Sequence, residues 1–189
     1  MNKVIGLDIS SSTVGWAVLA YDKNNYKLEE YGHIKPLKSN KGSLSVRAAD
    51  YLDKITNFLP KKSPDSVAIE AYANKFSKGR SSARTIIVLS VFNEITSVGS
   101  IKSIGIEPDS YAVSTIRSIL SKIAGNKISS KEEAFDFILN HFDDFKIRKK
   151  RTGNIKDECF DEADAIAVAL THIYKESDNG KGFNLQQIS

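Results

Sequence analysis

The sequence predicts a single α/β domain built on a mixed sheet, and three features predict it. Apolar and polar residues alternate along the first 34 positions, apolar residues recur at helical spacing from position 45 onward, and a short buried-strand pattern interrupts them at 66–71. A chain of 189 residues is long enough for one domain with a substantial core and too short for two ordinary ones. Hydrophobic residues are 41% and charged residues 26%, a balance that favours folding over disorder.

Val4 to Ile9 reads as a strand with Val4, Gly6 and Asp8 on one face and Ile5, Leu7 and Ile9 on the other. Ser10-Ser11-Ser12 signals a turn, so Val14 to Tyr21 is the hairpin partner, and Tyr26 to Ile34 follows the polar turn Asp22–Asn25 as a third antiparallel strand. A basic loop over 36–43 leads to a helix from about Ser45 to Leu59, ended by Pro60–Pro64. Ser66 to Ala71 is the short buried strand, 74–82 is polar and basic, and 83–97 is an apolar helix. Ile104 to Ile106 is expected as a further strand, and Ala112 to Ile123 as a helix closed by Gly125. Ser130 with Glu133 forms a capping box for a helix running to His141. A basic loop spans 146–156, a last helix runs from Asp157 to Tyr174, and 177–189 reads as a flexible tail, leaving 1–176 as the domain.

Composition excludes several classes. Lys plus Arg exceed Asp plus Glu by 27 to 23, a net +4 that permits a polyanionic partner without demanding one. Cys159 is the only cysteine, which excludes an intramolecular disulfide and a cysteine zinc site and points to a reducing, cytoplasmic setting. No run of eighteen apolar residues is present, and the N-terminus lacks the apolar stretch of a signal peptide, so neither a membrane span nor secretion is expected.

Two carboxylates intrude where a core is expected. Asp8 lies between Leu7 and Ile9, and Glu70 ends the apolar run Val67-Ala68-Ile69. Alone, Asp8 could cap the Ser10–Thr13 turn and Glu70 could face water. Burying an unpaired carboxylate costs several kcal/mol, however, so the repetition is informative. In the last helix Asp157, Asp161 and Asp164 stand at i, i+4 and i+7, on one stripe. Asp157 suits the helix dipole, whereas Asp164 lies deeper and precedes the small residues Ala165, Ala167 and Ala169, which would let the helix press on a sheet. Acids converging from two strands and a helix would repel unless hard divalent cations neutralised them. Two such ions can activate water and stabilise a leaving oxygen in phosphodiester hydrolysis. His33, His141 and His172 are scattered and read as structural.

Gly6-Leu7-Asp8-Ile9-Ser10, Ala68-Ile69-Glu70-Ala71 and Asp161-Glu162-Ala163-Asp164-Ala165-Ile166-Ala167-Val168-Ala169, in this order, resemble the RuvC family of Holliday-junction resolvases within the ribonuclease-H-like superfamily. The resemblance covers Met1 to about Tyr174, and its last motif is the most specific. It implies a five-stranded mixed sheet, three antiparallel strands and then parallel ones, flanked by helices. It also implies a homodimer and Mg2+-dependent incision of four-way DNA junctions leaving 5′-phosphates. Two ions per site are implied, with Mn2+ as a possible substitute. Carried over by position, Asp8, Glu70, Asp161 and Asp164 would be the catalytic metal ligands. Tyr72 and Phe76 are the candidates for an aromatic wedge in the junction, and Arg117 and Lys127 sit near the family's basic positions, with Lys122 and Lys131 as neighbours. Ile9-Ser10 stands where bacterial members have Pro-Gly. An Ile- and Lys-rich chain would suit a virus- or phage-encoded member acting in the host cytoplasm.

Because central acids repel DNA, affinity must come from flanking positive charge. Lys75, Lys78, Arg80 and Arg84 follow the second acid, Arg117, Lys122 and Lys127 lie on or after a helix, and 146–151 is a basic run. The apolar segment 85–92 is expected to be buried, in the core or against a second subunit. Three other readings compete. An actin-like or chaperone-like ATPase would share the first hairpin but needs a second lobe. A non-catalytic branched-DNA-binding module would not need all four acids. A same-fold nuclease acting on forks, flaps or RNA–DNA hybrids fits the residues equally.

Overall fold

A computed structural model describes residues 1–72, 83–177 and 186–187. Its centre is a sheet of strands β1 (Asn2–Ile9), β2 (Val14–Tyr21), β3 (Asn25–Ile34), β4 (Ser66–Glu70), β5 (Asp109–Tyr111) and β6 (Gln186–Gln187), in the order β5-β4-β1-β2-β3-β6. β1, β2 and β3 pair antiparallel, while β4 runs parallel to β1 and β5 parallel to β4. The five-stranded mixed sheet expected from the sequence is therefore present. A two-residue sixth strand lies parallel to Asn25–Tyr26, so this part of the expected tail is a strand.

Local chemistry sets the turns. Ser10 Oγ donates to the Thr13 carbonyl (2.6 Å) and accepts from the Thr13 N–H (3.0 Å), closing the β1–β2 connection. Asp22 Oδ1 accepts from the N–H groups of Asn24 and Asn25 at 2.8 and 2.9 Å, closing the next one.

Helices cover both faces. α1 (Leu44–Lys62) and α2 (Ala83–Ile104) pack on one side, where Tyr51, Ile55, Leu59 and Phe92 meet Ile5, Leu7, Ile9, Val67 and Ile69. α3 (Val113–Ala124), α4 (Lys131–His141) and α5 (Asp157–Glu176) cover the other, where Ile166, Ala167 and Leu170 join Val4, Ala17, Leu19 and Ala68. The alternation read from the sequence is thus real, and it puts Asp8 on the α5 face.

α5 lies unusually close to the sheet. A Cβ on Gly6 would stand 2.2 Å from the Ala165 carbonyl oxygen, and one on Gly15 would stand 2.0 Å from that of Asp161. Only glycine allows such an approach, and the alanines of α5 complete it.

One expectation is corrected. Ile104 to Ile106 is not a strand: α2 runs through Ile104 and ends at Gly105 (φ +73°), and the strand is the polar Asp109–Tyr111, just past Pro108. α2 itself, at 22 residues, is long and apolar enough to cross a membrane by length and composition. Its polar side nonetheless docks into the fold: Thr96 bonds Tyr51 (3.0 Å), and Ser100 donates to the Ile106 carbonyl (2.6 Å). Ile87, in the segment expected to be buried in the core or against a second subunit, and Val98 and Ile101 beyond it are about half exposed in the single chain.

Candidate functional site

Strand register builds the site first. Leu7 is opposite Ile69 in the parallel β1–β4 pair, so Asp8 and Glu70 are the next residues along neighbouring strands, on the face that α5 covers. α5 then brings its own acids over this edge. Asp8, Glu70 and Asp164 line one cleft of about 160 Å3, together with Arg117 and Lys131. Its apolar wall is Val113, Ile116, Leu120, Ala134 and Ala167. Asp161 lies one turn nearer the start of α5, outside the cleft lining but within electrostatic reach of Asp8 and Lys131.

The electrostatics record the crowding. Burial, then the charges of Asp164, Glu70 and Asp161, push Asp8 well above the carboxylate range. Glu70 is pushed up to about 7 by burial and by Asp164, against the pull of Lys131 and Arg117. Asp161 is raised to about 6, mainly by burial. Asp164 is also raised by burial, but Lys131 relieves it through a 2.6 Å ion pair. Burial alone would lower the Lys131 ammonium, yet Asp164, Asp8 and Asp161 hold it raised.

Oxygen donors in a partly desolvated, mutually repelling set suit a hard divalent cation. Among the described residues, however, no three His, Cys, Asp or Glu side chains stand together as a ready-made metal cage.

The remaining site expectations divide. Arg117 lines the cleft and donates to the Ser129 carbonyl (3.0 Å). Tyr72 is half-buried just past β4, and Arg84 is exposed in the first turn of α2. Lys75, Phe76, Lys78 and Arg80 lie outside the described residues. Lys122 and Lys127 do not line the acidic cleft. The Lys122 ammonium lies 5.8 Å from the Tyr174 ring centroid, and Lys127 lines a separate groove with Phe137 and His141. The capping box explains the difference, because Ser130 starts α4 and turns Lys131, its first residue, onto Asp164.

Sequence reasoning missed one further group. Glu162, between the two α5 aspartates, is fully buried. It accepts two hydrogen bonds from the Arg148 guanidinium (2.5 and 2.6 Å) and lies 2.8 Å from His33 Nδ1. The signal was its stripe, since Glu162 shares a helical face with the apolar Ile166, Ala169 and Ile173. His141 and His172 are structural, each bonded to a tyrosine hydroxyl, Tyr26 and Tyr111 respectively.

No protein-family profile matches the chain. It is 26% identical to the crossover junction endodeoxyribonuclease RuvC of a Wolbachia species from Brugia malayi, over 94% of this chain and 97% of that protein. It is 29% identical to the RuvC of Ehrlichia ruminantium strain Gardel, over 90% and 96%. Among solved structures, Thermus thermophilus RuvC in complex with Holliday junction substrate aligns with a TM-score of 0.68 at 17% identity, over 95% of this chain and 98% of that one. The chain is thus similar to RuvC endodeoxyribonucleases along nine-tenths of its length, and it shares the ribonuclease-H-like fold of the Thermus protein, with acids gathered at one sheet edge.

Proposed function

We propose that the chain is a DNA endonuclease that resolves four-way junctions by hydrolysing phosphodiesters, leaving 5′-phosphates. The observation that carries this reading is the gathering of Asp8, Glu70 and Asp164 in one cleft with Arg117 and Lys131, with Asp161 at its edge. Asp8, Glu70, Asp161 and Asp164 would hold divalent metal, Mg2+ or Mn2+, as a pair of ions. Metal bound there supplies an activated water and charge stabilisation for the departing oxygen. The protein's part is to aim the acids, which the close β1–α5 approach does, and to offset their charge towards a phosphate. Arg117 and Lys131 would perform that second task, a reading supported by their both lowering the proton affinity of Glu70 and Asp164.

A four-way junction has two-fold symmetry, so two copies of the chain would present two sites to it. The exposed Ile87, Val98 and Ile101 of α2 supply the apolar surface that such a homodimer would bury. The deciding experiment compares cutting of synthetic four-way junctions with cutting of duplex, flap and RNA–DNA hybrid controls in Mg2+. Junction-selective nicking that Asp8→Asn abolishes, with junction binding intact, is expected. Cutting by Asp8→Asn at the parental rate would overturn the site.

A further inference from the structure

The basic segment 146–156 takes no part in the site above, yet it is built with care. Residues 148–156 fold back as a small hairpin: Lys149 bridges Ile155, Lys150 N–H donates to the Asn154 carbonyl (2.7 Å), and Lys156 N–H donates to that of Arg148 (2.9 Å). Gly153 (φ +87°) makes the turn. The hairpin is moored to the catalytic helix by Arg148, whose guanidinium grips the buried Glu162 between Asp161 and Asp164. Lys150 fastens it again, to Asp157 in the first turn of α5 (2.9 Å).

The charge on this hairpin exceeds what α5 needs. Lys150 pairs with Asp157 and Lys35 with Glu158. Lys149, Arg151 and Lys156 are exposed, and among the described residues no carboxylate pairs with them. Segment 146–156 contains six cations and no acid. Cations that neutralise no acid, as Lys149, Arg151 and Lys156 here, cost self-repulsion, and they fit a polyanion. Asp157 precedes Asp161 by four residues, about 6 Å along a helix axis. The loop is therefore fixed within a few nucleotides' length of the acids.

The geometry points to a phosphate-binding arm: Lys149, Arg151 and Lys156 grip the DNA backbone beside the cut, held in register by the Arg148–Glu162 bridge. This inference rests on the endonuclease reading and extends it to the substrate flank.

The test measures binding of the full chain to a fluorescent four-way junction in EDTA across a salt series. Each phosphate contact contributes about 0.9 to the slope of log K against log salt. Lys149→Ala/Arg151→Ala should therefore flatten the slope by about 1.8. A charge-matched control, Lys61→Ala/Lys102→Ala, removes exposed lysines from the ends of α1 and α2 and should leave the slope unchanged. Both substituted pairs are on the surface, and thermal denaturation verifies that they fold. An arm variant with the parental slope, or one flattened no more than the control, would overturn the arm while leaving the endonuclease reading intact. A parental protein that binds no junction would overturn that reading, and the arm with it.

Discussion

The ammonium of Lys131 lies 2.6 Å from Asp164 Oδ2, in a cleft shared with Asp8 and Glu70. This pair sets a positive charge among the site's acids that favours their ionised forms. That charge lowers Asp8, Glu70, Asp161 and Asp164 at once. Lys131→Met should therefore raise all four acids, Asp164 most, since loss of an opposite charge at contact moves a carboxyl by about one to three pH units and a more distant one by less. The acid limb of the pH–rate profile for junction cutting should shift upward by a similar amount. An unmoved profile with a uniformly lower rate would show that Lys131 acts on substrate instead.

The raised acids also make a stability prediction. A carboxyl whose folded pKa exceeds its unfolded value binds more protons in the native state, so stability falls as pH rises between the two. For Glu70 that window runs from 4.5 to about 7. In EDTA the melting temperature should fall from pH 5 to pH 8. Asp8→Asn, which removes a buried like charge, should raise stability at pH 8 by about 1–2 kcal/mol, and with it the melting temperature by roughly 2–8 °C for a chain of this size. Calorimetry at the two pH values checks both signs. A metal-free Asp8→Asn protein less stable than the parent at pH 8 would contradict the repulsion.

Much of this was legible in the sequence, for stated reasons. A period of two put Asp8 and Gly6 on one face, and the alanine run after Asp164 marked the helix that presses on them. Edges were less legible. The strand at Asp109–Tyr111 is short and polar, so the apolar Ile104–Ile106 drew the expectation instead. Long-range pairing was not legible at all. Nothing local shows that Lys131 reaches Asp164, 33 positions on, or that the cation burying Glu162 is Arg148. Those contacts depend on how α4 and the hairpin dock.

Gly6 is the tightest point between β1 and α5. Alanine there would bring Cβ within 2.2 Å of the Ala165 oxygen and 2.7 Å of the Ala169 nitrogen, both backbone atoms that cannot swing aside. Overpacking of this kind costs about 1–3 kcal/mol or more. Gly6→Ala should lower the melting temperature and, by lifting α5, reduce cutting further than the loss of folded protein explains. Rates normalised to folded fraction decide it.

Arg148→Ala leaves Glu162 buried with only His33 beside it. Stranding one member of a buried ion pair costs about 3–5 kcal/mol, and because the Arg148 side chain is 40% exposed the lower end applies, about 3 kcal/mol. The companion change Glu162→Gln keeps the shape and removes the stranded charge, so Arg148→Ala/Glu162→Gln should recover much of that loss. Urea denaturation of the two single variants and the double variant yields the coupling energy directly. A coupling near zero would mean that the bridge neither steadies α5 nor holds the basic hairpin against it.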